Sequence, residues 1–154
     1  MSDPFARAVS EIMSTDVATI RSDTSIADAA ATLARNGISG MPVVDEQGIV
    51  VGVVTLTDFV AAMSATGGAP DDASVFYDSV RLVRLMEHLL HEAGRGMDTV
   101  GDIMSTRLVG IRPDAPIRDA ARVMAQKHVH RVLVIDAAGK LAGIVSAIDV
   151  VALV

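Results

Sequence analysis

The stretch Gly52-Val53-Val54-Thr55-Leu56-Thr57-Asp58-Phe59 decides how this chain is read. An apolar run stops abruptly at a hydroxyl, and a carboxylate follows three residues later. That pattern describes a buried strand running straight into a helix start, where Thr and Asp are favoured. A junction of this kind offers oxygen acceptors to a sugar and is poorly equipped for bond-breaking chemistry. The phrase returns as Gly143-Ile144-Val145-Ser146-Ala147-Ile148-Asp149-Val150.

The recurrence is part of a longer repeat. Ile12-Met13-Ser14-Thr15 reappears as Ile103-Met104-Ser105-Thr106, an offset of 104 − 13 = 91. The offset then holds without a gap through Ile20/Ile111, Asp28/Asp119, Val43/Val134, Gly48/Gly139, Gly52/Gly143 and Asp58/Asp149. The chain is two copies of one unit, residues 9–63 and 100–154, joined by a linker over 64–99.

Within each copy the elements follow one order. Phe5, Val9 and Ile12 stand at helical spacing and predict a short opening helix over residues 5–12. Ala18-Thr19-Ile20 and Val109-Gly110-Ile111 read as short strands. Ser25 with Asp28 marks a capped helix start, and Gly37 is a natural stop. In the second copy Pro116 suits a first helical turn, and that helix runs to about Lys127. Met41–Asp45 and Val132–Asp136 open hairpins across Gly48 and Gly139. Thr57 to about Met63 and Ala147 to Leu153 are the closing helices. Each copy is therefore β-α-β-β-α, a mixed α/β unit with helices packed on a sheet. In the linker, residues 66–72 read as a loop. Leu82, Leu85, Met86, Leu89 and Leu90 predict an amphipathic helix over 78–92.

Composition narrows the function. Of 154 residues 51% are apolar but only 3% aromatic, so the core must be aliphatic. A net charge of −6 argues against nucleic acid or an anionic membrane bound through a broad basic face. The absence of cysteine excludes disulfides, thiolate zinc sites and thiol nucleophiles. No apolar run approaches the ~18 residues of a membrane helix, and Met1–Phe5 lacks the character of a signal peptide. The expectation is a cytoplasmic protein.

Two β-α-β-β-α copies, each closing on Gly-apolar-apolar-apolar-(Ser/Thr)-x-x-Asp, resemble a tandem pair of CBS domains, the family named after cystathionine β-synthase. The opening Ile-Met-Ser-Thr phrase and the Pro42-Val43-Val44-Asp45 hairpin start fit the same family. The resemblance covers nearly the whole chain. It implies two units packed about a pseudo-twofold axis, with clefts that bind adenosine-containing ligands in many members: AMP, ADP, ATP, S-adenosylmethionine, sometimes NAD or cyclic dinucleotides. It also implies a regulatory rather than catalytic role, frequent dimerisation, and no required cofactor.

On that reading Asp58 and Asp149 accept from ribose hydroxyls, a charge-assisted interaction, while Thr55 and Ser146 contact sugar or phosphate. The competing reading is plain helix capping, and the two coexist. Lys127, His130 and Arg131 precede the second hairpin, where the first copy has uncharged Asn36, Ser39 and Gly40. The resemblance places such basic residues near phosphate, which favours pairing Thr55 and Asp58 on the ribose with His130 and Arg131 on the phosphate. The alternative is a solvated helix end. The base would lie along the strands around Ala18–Ile20 and Val109–Ile111, plus Met41-Pro42 and Val132-Leu133, apolar residues whose other role is core packing; Thr15 is a further candidate ligand contact. His88, His91, His128 and His130 lack the converging ligands of a metal site.

The chain also lacks a nucleophile elbow and a Walker loop, so an enzyme is disfavoured. A ligand-sensing regulator acting on an unidentified protein is the expected function. An assembly module with empty clefts is the alternative. The closing segment Ala147–Val154 is apolar nearly all round and has to be buried on more than one side, which predicts a homodimer.

Overall fold

The structure, a computed structural model, describes residues 2–65 and 98–154. The expected linker loop over 66–72, the helix over 78–92, His88 and His91 lie outside the described residues.

The expected mixed α/β architecture is present as two three-stranded sheets with helices. The first copy contributes β1 (Ile20–Arg21), α1 (Ile26–Asn36), β2 (Gly40–Val44), β3 (Val50–Thr55) and α2 (Leu56–Ala65). After α3 (Val100–Ile103), the second copy contributes β4 (Gly110–Ile111), α4 (Ile117–Lys127), β5 (Arg131–Ile135), β6 (Leu141–Ser146) and α5 (Ala147–Val151). Strand order is β1-β2-β3 in one sheet and β4-β5-β6 in the other. β1 runs parallel to β2 and β4 parallel to β5, as a helical crossover requires. β5 and β6 form an antiparallel hairpin.

The compact units are not the two halves in chain order. Ala18–Asp45 and Val51–Thr106 make the first-repeat unit; Met1–Val17, Glu46–Val50 and Arg107–Val154 make the second-repeat unit. Each copy's opening phrase thus belongs with the other copy's sheet. Val9 is fully buried beside Ile117, Met124, Val132, Val134 and Val145. Its counterpart Val100 is fully buried beside Ile26, Leu33, Val43, Val54 and Phe59.

Glycine makes this docking possible. Ser14 exchanges two hydrogen bonds with Ile144 (2.8 and 2.9 Å), and Ser105 exchanges two with Val53 (both 2.9 Å). Beside those bridges, a Cβ on Gly143 would stand 2.6 Å from the Ser14 carbonyl oxygen, and one on Gly52 2.7 Å from that of Ser105. Only a residue without a Cβ lets the phrase approach the strand this closely.

Several local expectations are corrected. The opening helix is replaced by two 3-10 turns, Pro4–Ala6 and Val9–Glu11. The N–H groups of Val9 and Ser10 donate to the carbonyls of Ala115 and Pro113 (2.9 and 3.1 Å), so they are unavailable to a continuous helix. Pro116 occupies the cap position rather than the first turn, and Ile117 N–H donates to the Arg7 carbonyl at 2.9 Å. The short strands are two residues each, beginning at Ile20 and Gly110. α5 stops at Val151, short of Leu153. Ser25 does cap α1, its Oγ accepting from Asp28 N–H at 3.1 Å. Gly37 closes α1 in the left-handed region at φ 60°.

Candidate functional site

The two strand-to-helix junctions have the same internal geometry. At the first, the Thr55 N–H and Oγ1–H both donate to Asp58 Oδ2, at 2.8 and 3.1 Å. At the second, the Ser146 N–H and Oγ–H both donate to Asp149 Oδ2, at 2.8 and 2.9 Å. Asp149 N–H also faces Ser146 Oγ at 3.2 Å, closing a reciprocal capping box. The carboxylate half of a capping box is therefore present in both copies, and the reciprocal bond from a helix N–H to the hydroxyl closes it at the second.

Capping uses only half of each carboxylate. Among the described residues, Oδ1 of Asp58 and Oδ1 of Asp149 accept no hydrogen bond. Both side chains are half-buried, so a fixed, charged acceptor remains available at each junction. A sugar hydroxyl is a suitable donor to such an oxygen. A third box shows the motif as plain scaffolding: at exposed α3, Asp102 Oδ2 accepts from Thr99 N–H, Thr99 Oγ1–H and Asp98 N–H at 3.0, 3.1 and 3.0 Å. The Thr99 and Asp98 backbone bonds, with the Thr99 hydroxyl, hold the Asp102 carboxyl below its ordinary 3.8.

The basic residues gather at the second junction. Arg131 is the direct ladder partner of Ser146, and the His130 carbonyl accepts from Ala147 N–H at 2.9 Å. Lys127, His130 and Arg131 are exposed, and their side chains form no hydrogen bond or ion pair among the described residues. The first copy repeats the backbone geometry without charge. There the Ser39 carbonyl accepts from Leu56 N–H at 2.9 Å, and Gly40 lies against Thr55.

The remaining expected residues divide. Ile20 and Met41 are buried in the first-repeat core and Pro42 is buried next to them, so their side chains are spent on packing. Val109 and Ile111 are half-buried against the second-repeat core. Ala18 is half-buried and Thr15 exposed. The expected combination of Thr55 and Asp58 with His130 and Arg131 draws on both compact units, and the structure describes each group within its own. Among the described residues no three His, Cys, Asp or Glu side chains converge for a metal, and no helix is long and apolar enough to cross a membrane.

Two features escaped the sequence reading. One is the close packing of Gly40 against Thr55. The other is His128, which closes α4 at φ 54° in the same left-handed conformation as Gly37. The 91-residue offset pairs His128 with Gly37 and Arg131 with Gly40, so the signal for both was present in the alignment of the copies.

The family model for the CBS domain matches residues 9–65 and 100–154. The chain is 31% identical over 86% of its length to the CBS domain-containing protein CBSX2, chloroplastic, of Arabidopsis thaliana, and spans 56% of that protein. The crystal structure of CBSX2 in complex with AMP superposes with a TM-score of 0.68 at 27% identity, covering 96% of this chain and 95% of that one. The CBS domain of a CBS domain-containing membrane protein from Sphaerobacter thermophilus gives a TM-score of 0.72 at 26% identity, covering 97% and 89%. The CBS domain pair of protein MJ0100, in complex with 5-methylthioadenosine and S-adenosyl-L-methionine, gives 0.63 at 25% identity, covering 95% and 98%.

Proposed function

The chain belongs to the CBS domain family, and on that premise we propose that it is a non-catalytic regulatory module that binds an adenosine-containing ligand and passes its occupancy to a partner protein. The observation that carries this reading is that, among the described residues, Oδ1 of Asp58 and Oδ1 of Asp149 accept no hydrogen bond while Oδ2 is held by its bonds to the strand end. In the proposed complex that oxygen accepts from a ribose hydroxyl. Thr55 or Ser146 stands beside it for sugar or phosphate, and Lys127, His130 and Arg131 supply positive charge. Thr15, Ala18, Ile20, Met41, Pro42, Val109 and Ile111 are the proposed surroundings of the base, the buried ones acting through their backbone. The AMP bound by CBSX2 and the S-adenosyl-L-methionine bound by MJ0100 support the ligand class.

The test is a thermal-shift series with AMP, ADP, ATP, S-adenosylmethionine, NAD and cyclic di-AMP. A ligand at ~100 times its dissociation constant stabilises the fold by about 2.7 kcal/mol. The expected result is a shift with at least one compound, lost in the double variant Asp58→Asn/Asp149→Asn. No shift with any compound would refute the sensor reading.

A second reading, assembly, is favoured by α5. Ile148 and Val151 on the helix are 79% and 67% exposed, and Val154 just beyond it 97%, an apolar surface at the end of the described chain. The proposed cover is another copy of the chain, giving a homodimer. Light scattering at tens of micromolar tests it, and a clean monomer would sink it.

A further inference from the structure

We propose that Met13 and Met104 are a pair of modification sites, whose oxidation to methionine sulfoxide by a peroxide releases each opening phrase from the sheet it docks on. This stands apart from the adenosine reading, because it concerns the docking of the opening phrases and not the ligand.

Both copies carry the phrase Ile-Met-Ser-Thr, so each docking segment has one methionine at the same place. That methionine lies between two anchors. On one side is the fully buried Val9 or Val100, whose carbonyl accepts from the Met13 or Met104 N–H at 2.9 Å. On the other is the backbone bridge from Ser14 to Ile144, or from Ser105 to Val53. Each thioether lies over the docking glycine. The position a Cβ would take on Gly143 is 2.8 Å from Met13 Sδ, and on Gly52 it is 2.7 Å from Met104 Sδ. The sulfur fills the space that the glycine leaves open.

Both side chains are half-buried, packed against a core on one side and within reach of solvent on the other. Met41 and Met124 are only 2% and 6% exposed. Oxidation follows access, so the docking pair reacts ahead of the core pair. The chain has no cysteine, so no thiol of its own intercepts the oxidant. With hydrogen peroxide, the sulfur lone pair forms an S–O bond as the O–O bond breaks. The proton on the transferred oxygen passes to the departing hydroxide, which leaves as water. Sulfur is oxidised by two electrons and the peroxide is reduced by two.

The product is a polar acceptor where an adaptable apolar side chain stood. A docked sulfoxide oxygen needs a donor, and the donors of the bridge are spent. Ser14 N–H bonds the Ile144 carbonyl and Ile144 N–H bonds the Ser14 carbonyl, with the same exchange between Ser105 and Val53. An oxygen turned toward Gly143 or Gly52 also meets the carbonyl of Ser14 or Ser105, a second acceptor. Water satisfies the sulfoxide only when the phrase lifts from the strand.

The experiment treats the full chain with graded hydrogen peroxide and follows sulfoxide at each methionine by peptide mass spectrometry, with the melting temperature measured in parallel. Met13 and Met104 are expected to oxidise about fivefold or more faster than Met41 and Met124. The melting temperature should fall by about 5 °C and recover after treatment with methionine sulfoxide reductases A and B together. The variant Met13→Leu/Met104→Leu, close in volume, should keep its own melting temperature under the same peroxide. Oxidation of the docking pair no faster than of the core pair overturns the proposal. So does sulfoxide at Met13 and Met104 with an unchanged melting temperature, or an equal fall in the double variant. The site-resolved rates and the reductase recovery are read on the unmodified chain, so they decide the matter even where the variant folds poorly.

Discussion

In the first copy the residue against the strand-end hydroxyl is Gly40; in the second it is Arg131. Around that position the scaffold is unchanged. The carboxylate of Asp58 or Asp149 takes the same two bonds, and the carbonyl of Ser39 or His130 accepts the same helix-start N–H at 2.9 Å. The buried elements of the repeat are held by packing, and the strand-start residues on its rim are free to differ. Chemistry has diverged where a side chain meets solvent and stayed constant where it meets the core.

The comparison can be broken hardest at the docking glycines. Gly52→Val and Gly143→Val each drive a side chain into the carbonyl of Ser105 or Ser14. Each is expected to cost about 3 kcal/mol by overpacking, read as a lowered midpoint in urea. A large loss at one glycine and none at the other would show that the copies do not dock alike. Val9→Ala and Val100→Ala come next, at about 2 kcal/mol each, because both side chains are fully buried. Partial proteolysis sharpens the outcome: Val9→Ala should expose cleavage sites in the second copy, not the first. Cleavage confined to residues 18–45 would contradict the exchange of opening phrases.

A smaller effect of opposite sign is expected at the helix ends. His128 holds a left-handed conformation that glycine adopts freely. His128→Gly should raise stability by about 1 kcal/mol, and Gly37→Ala should lower it by a similar amount. Equal destabilisation by both would remove the conformational argument. The smallest effect is electrostatic. The Asp102 carboxyl lies below its ordinary 3.8 in the folded protein. Its contribution is complete above the unfolded value and disappears as pH falls through the folded one. The melting temperature of the unmodified chain should therefore exceed that of Asp102→Asn near neutrality, and the two should converge in acid once pH has fallen below the lowered folded value. A difference that persists there would point to packing instead.

Much of this was legible in the chain. The phrase ending in Thr55 and Asp58 announces a strand, a cap and a carboxylate, and all three are present. The 91-residue offset exposed the duplication and located the basic residues at one copy only. The opening segment was misread because its apolar spacing is helical, while the N–H groups of Val9 and Ser10 in its middle are claimed by carbonyls 100 or more residues away. Periodicity reports which face is apolar; it does not report where backbone donors find partners.

The sequence by itself determined the duplicated β-α-β-β-α unit, its aliphatic core and the hydroxyl and carboxylate at each strand-to-helix junction, because these depend on local pattern and repeat. Tertiary structure alone decided that each opening phrase joins the other copy's sheet. Val9 and Val100 are chemically identical, so no property of either residue says which core receives it. The exchange is visible only in the fold, where Ser14 bonds Ile144 beside Gly143 and Ser105 bonds Val53 beside Gly52.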